Sequence, residues 1–75
     1  MKKTIRQHII NNFKGDDYDT LYRAIDESVK LNDEVTLPGL GVFLELIWEN
    51  SNDKLKHKLI EIIRKRVQKG LDNNI

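Results

Sequence analysis

Leu37-Pro38-Gly39-Leu40-Gly41-Val42-Phe43-Leu44-Glu45-Leu46-Ile47-Trp48-Glu49-Asn50 holds the only proline and the only tryptophan of the chain, two of its four glycines and its most apolar run. Two structures accommodate it. Wound as a helix, Val42, Phe43, Leu44, Leu46, Ile47 and Trp48 cover most of the circumference and leave Glu45 and Glu49, one turn apart, as a polar strip. Laid out as a strand, Val42, Leu44, Leu46 and Trp48 form one apolar face, while Phe43, Glu45, Ile47 and Glu49 form a mixed one. Periodicity does not separate the two, but context does. Only residues 34–37 elsewhere look extended, and an isolated two-stranded hairpin is marginal in water. The stretch is therefore read as a Pro-Gly turn launching a buried helix, with Gly39 and Gly41 allowing close backbone approach.

The segments on either side are helical in pattern. Ile5, Ile9, Ile10 and Phe13 recur at helical spacing, and Lys14-Gly15 supplies a stop in which the glycine can take positive φ. Asp16 is the expected N-cap of a second helix, with Asp17 and Asp19 at the positive end of its dipole. Tyr18, Leu21, Tyr22, Ile25 and Val29 then wind into one apolar stripe, which places both tyrosines in the core with their hydroxyls at its edge. The pairs Asp19–Arg23 and Asp26–Lys30 have favourable i,i+4 geometry. Leu31-Asn32-Asp33-Glu34 ends this helix, and residues 34–37 are expected to be extended, because proline disfavours helical geometry at the residue before it. After the turn and cap residues Asn50-Ser51-Asn52-Asp53, Leu55, Leu59, Ile62, Ile63, Val67 and Leu71 set out the longest amphipathic pattern. Arg66 falls within that apolar arc and must either reach outward or meet an acid such as Glu45 or Glu49. The reading predicts a single all-α domain over residues 1–75, a small bundle of about four helices near 4–14, 16–31, 39–50 and 53–70. The third helix is buried by the other three, and residues 1–3 and 72–75 are frayed ends.

Bulk properties narrow the functional classes. Without cysteine there is no disulfide, thiolate chemistry or Cys-based zinc site, and a reducing intracellular compartment is the simpler setting. Polar Arg6, Gln7 and His8 stand where a signal peptide would need apolar residues, and Glu45 and Glu49 interrupt the most hydrophobic segment, so neither secretion nor a membrane span is expected. His8 and His57 lie in different segments, Gly39-Leu40-Gly41 lacks the remaining elements of a phosphate loop, and acidic pairs such as Asp16-Asp17 are caps. No catalytic residue, metal ligand, cofactor or small-molecule substrate is assigned, and the chain is read as a non-enzyme.

Charge is unevenly spread: residues 1–14 carry +4, residues 15–50 carry −7 and residues 51–75 carry +4, for a net +1. Such blocks neutralise one another within a fold or between subunits, and a small core makes a homodimer a reasonable expectation. On the last helix Lys54, Lys58, Lys65 and Lys69, with Arg64 beside them, form a basic face able to follow phosphates non-specifically. Glu61 interrupts it, no aromatic is interleaved with the lysines and the middle of the chain is acidic, so a solvated face is preferred to a DNA-binding one.

The wording of the central stretch, with Leu37, Pro38, Gly39, Leu40, Gly41, Glu45, Trp48 and Asn50 as its marks, resembles the small acid-soluble spore protein I family of spore-forming Firmicutes. Ile5-Arg6, Ile9-Ile10-Asn11-Asn12-Phe13-Lys14-Gly15, Leu21 with Ile25-Asp26, and Lys56-His57 extend the similarity over most of residues 5–71. The basic final helix and the Leu31-Asn32-Asp33-Glu34 lead-in depart from it. The resemblance implies a small helical, non-enzymatic protein of the forespore and spore core, associated with sporulation, germination or outgrowth. It does not imply DNA protection, which belongs to the separate α/β-type of acid-soluble spore protein. A second, local similarity links Val35 to Phe43 with the Val-Thr-Leu-Pro-Gly-x-Gly-x-Phe strand of HU-type DNA-binding proteins, and this is the alternative reading.

Overall fold

The computed structural model describes residues 4–70, and within them every regular element is helical: α1 (Ile5–Phe13), α2 (Tyr18–Leu31), a 3-10 turn (Glu34–Thr36), α3 (Leu37–Glu49) and α4 (Asp53–Gln68). The frayed ends expected at residues 1–3 and 72–75, and Leu71 as the last member of the final apolar pattern, fall outside the described residues.

Three of the helices, α1, α2 and α4, begin where a short polar side chain accepts from an exposed N–H group of the first turn. Thr4 and Gln7 form a reciprocal capping box: the Gln7 N–H donates to Thr4 Oγ1 at 3.2 Å, and the Thr4 N–H donates to Gln7 Oε1 at 2.9 Å. The first helix ends as expected, with Gly15 at φ +90° just beyond Lys14. The cap of α2 is Asp17, not Asp16. Asp17 has extended backbone and its carboxylate accepts from the Thr20 N–H at 2.9 Å, whereas Asp16 lies one residue too early to reach that group. Asn32, at φ 54°, closes α2 in the left-handed conformation that asparagine tolerates better than most residues. Asn52 caps α4 through the Leu55 N–H at 2.9 Å.

Residues 34–37 are not extended. Asp33 Oδ1 accepts from the Val35 N–H at 2.9 Å, and the Thr36 hydroxyl donates to the Asp33 carbonyl at 2.8 Å, which winds Glu34–Thr36 into a 3-10 turn. Leu37 follows in right-handed helical geometry, and Pro38 occupies the first turn of α3, where its missing N–H has no helical acceptor to serve. The local cap thus overrides the pre-proline preference, and the third helix starts two residues earlier than its glycine suggested. The segment that would be a strand in an HU-type protein is 3-10 turn and helix.

The closest packing is α1 across α3. A Cβ placed on Gly39 would sit 3.4 Å from Ile9 Cδ1, at contact distance from the tip of that side chain, so α1 lies directly against α3 at this glycine. Phe13 meets Phe43 edge-to-face, with centroids 5.3 Å apart and planes at 64°. The burial expected of α3 is only partial. Val42, 6% exposed, is the one buried residue among those described, while Leu44, Ile47 and Trp48 keep substantial surface in water. α2 and α4 lie more loosely against α3 than α1 does, so the apolar side chains on those sides of α3 stay partly in water. The result is an open array, 43 × 30 × 28 Å with a radius of gyration of 14.4 Å, where a compact chain of this length has about 11 Å.

Nor do the tyrosines enter the core. Tyr18 and Tyr22 are 79% and 62% exposed and stack on each other, centroids 6.5 Å apart. The inward face of α2 is rotated toward Leu21, Ala24, Ile25 and Ser28.

Candidate functional site

The central stretch converts into specific structural tasks, residue by residue. Pro38 starts α3, Gly39 receives Ile9, and Leu40 is half-buried beside the crevice formed by the end of α2 and the 3-10 turn. Asn50 ends the helix: its side-chain amide donates to the Leu46 carbonyl at 2.8 Å, while Ser51 donates its hydroxyl to the Ile47 carbonyl. Leu37 stays exposed at the entrance.

Glu45 is the anchor between elements. Arg6 grips it with both arms of its guanidinium, Nε to Oε1 at 2.6 Å and Nη2 to Oε2 at 2.8 Å. A planar fork on a carboxylate is the geometry in which such pairs are strongest. Hydrogen bonding from Arg6 holds the Glu45 carboxyl below the usual carboxylate range, and Glu45 in turn raises Arg6. Arg66, considered above as a partner for Glu45 or Glu49, instead donates to the Gly70 carbonyl at the end of α4. Charge neutralisation inside the fold is therefore real at this point, joining the basic first block to the acidic middle. Asp26 and Lys30 pair at 3.0 Å as their spacing predicts.

On the opposite flank of α3, Gly41, Leu44, Glu45, Trp48 and Glu49 face Ile60 and Ile63 of α4 across a groove of about 380 Å³. Gly41 has nothing within 4 Å of where its Cβ would be, so it leaves the groove open instead of admitting a neighbouring helix. Lys56 stands over the Trp48 ring, 5.3 Å from its centroid, a cation–π contact that covers part of the indole. Lys54, Lys58, Arg64, Lys65 and Lys69 are all exposed along α4 and none lines this groove. His8 and His57 sit on α1 and α4, and no cluster of three metal-ligating side chains occurs among the described residues. None of the helices described is long and apolar enough to cross a membrane.

Two signals in the sequence were readable but easily passed over: Thr4-Ile5-Arg6-Gln7 has capping-box spacing, and Asp33 sits where it can nucleate the turn before Pro38. The Arg6–Glu45 pair has no local signal at all.

Together these features define a small all-α protein whose distinctive residues serve helix ends, helix contacts and an open apolar groove. Its whole helical array corresponds to one known family, small acid-soluble spore protein I, which matches residues 4–67. Members from Bacillus cereus strains G9842 and AH187 and from Bacillus anthracis strain CDC 684 are each 32% identical to it over 69 residues, spanning 92% of this chain and all of each relative. No solved structure matches the chain significantly. The chain belongs to the small acid-soluble spore protein I family and is a spore protein.

Proposed function

We propose that this protein acts in the forespore and spore core as a non-enzymatic structural or interaction protein, serving sporulation, germination or outgrowth through its surfaces. The observation that carries this reading is the family match over residues 4–67, which takes in α1 to α3 and all of α4 but its last residue. Supporting it, the marks of the family stretch are absorbed by helix starts, stops and contacts: Pro38, Gly39 and Asn50 shape α3, and Glu45 fastens α1.

Non-specific DNA binding through Lys54, Lys58, Arg64, Lys65 and Lys69 is the alternative. It is disfavoured because Glu61 lies within the stripe and the acidic middle of the chain opposes a polyanion. Duplex mobility at low salt with excess protein is expected to be unchanged.

The test in the cell is a fluorescent fusion and a deletion strain. Expression confined to the forespore, retention in the mature spore and a defect in resistance, germination timing or outgrowth are the expected results. Expression in vegetative cells with spores indistinguishable from wild type would overturn the assignment.

A further inference from the structure

The molecule leaves far more surface in water than a chain of its mass should. Its accessible area is 6816 Å², whereas a compact monomer of 8.8 kDa has about 4,800 Å². The excess is roughly 2,000 Å², more than the ~800 Å² that each partner contributes to a standard interface. Among the described residues the exposed apolar surface includes one contiguous strip. Leu44 and Trp48 on α3 face Ile60 and Ile63 on α4, and Val67, also exposed, extends the strip by one turn beyond Ile63.

The wall of the groove carries the acids Glu45, held by Arg6, and Glu49, while the bases Lys56, over Trp48, and Arg64 stand at its α4 side. Glu49 lies on the α3 wall, close enough to Arg6 to feel its charge but making no ion pair of its own among the described residues. Arg64 follows Ile63 and stands one turn beyond Ile60 on the flank of α4, again without an ion-pair partner among the described residues. A surface meant for a polyanion or a basic peptide would carry one sign. A two-fold interface needs one patch that complements itself, an acid and a base on either side of a shared apolar centre. A net charge of only +1 adds little repulsion between two copies.

We propose that two copies of this chain associate groove to groove, packing Leu44, Trp48, Ile60 and Ile63 of each against those of the other, with Arg64 of one copy meeting Glu49 of its partner. The pairing converts the open α3–α4 layer of each copy into half of a four-helix core, the arrangement in which helices of this length bury both sides of an apolar seam. This inference stands on the surface alone and does not depend on the spore role.

Trp48, the only tryptophan, lies in the proposed seam and reports on it directly. Sedimentation of the full chain at rising concentration should pass from monomer to dimer mass, with Trp48 emission moving to the blue in step. Glu49→Arg and Arg64→Glu, each at an exposed position, should weaken the dimer on the order of tenfold, and the double reversal should restore it. Ile63→Asp should abolish it, with circular dichroism checking that helix content survives. A monomeric mass up to high micromolar concentration overturns the proposal. So does a dimer that both charge reversals leave intact, since that contact lies elsewhere, for instance on the exposed Tyr18–Tyr22 face.

Discussion

Individual residues hold this fold at a few points, and Glu45 is the clearest. Arg6 lowers its carboxyl below the usual range by hydrogen bonding to the charged form, so the pair contributes stability that is present above the ordinary glutamate range. That contribution is lost as pH falls through the lowered value and the carboxylate protonates. Circular dichroism of thermal unfolding across acid pH should therefore show a decline that Glu45→Gln flattens, because the variant has no proton to take up there. The two helical glycines make a sharper contrast. Gly41→Ala meets open space and should gain up to about 1 kcal/mol of helix propensity. At Gly39 an alanine Cβ would meet the tip of Ile9 at 3.4 Å, at the tight edge of contact, so its gain should be no larger and depends on how easily that side chain gives way. Urea unfolding at low protein concentration, where self-association does not contribute, separates the two.

At the level of helices, stability is concentrated at ends because the faces bury so little. Asn52→Ala removes the acceptor for the Leu55 N–H and should cost about 1 kcal/mol. The loss should appear as fraying of α4 in amide exchange, strongest in its first turn. Pro38 acts differently, through the unfolded chain. It sits in the first turn of α3, where no backbone donor is forfeited, so Pro38→Ala should cost about 0.4–1 kcal/mol by freeing the unfolded state. A larger loss in urea unfolding would mean that the pyrrolidine ring packs against α1 and that the entropic account is wrong. The 3-10 turn before it matters for the same reason: Asp33 and Thr36 set the direction from which Leu37 and Pro38 enter the helix.

For the whole molecule, one buried residue among those described and an extended outline fall short of the burial that small domains usually reach. The proposed groove-to-groove dimer would supply that burial. If two copies close the α3–α4 groove, folding and association are linked, and the thermal midpoint should rise with protein concentration by mass action. Calorimetry over a wide concentration range measures this without any variant. A midpoint independent of concentration would mean that the helices are stable as an open monomer.

Helix type, order and most helix ends were legible in the sequence because they depend on groups only a few residues apart. Apolar repeats, the glycine after Lys14 and the asparagine before Asp53 act within a turn or two of where they stand, and the wording around Pro38 carried the family resemblance. The pairings were not legible. Arg6 and Glu45 are 39 residues apart, and nothing local tells Glu45 to take Arg6 rather than Arg66. The rotation of α2, which turns Tyr18 and Tyr22 to solvent, and the groove beside Trp48 were likewise decided only when helices met. A helical repeat specifies that a face is apolar, and only the packed neighbours determine which part of that face is covered.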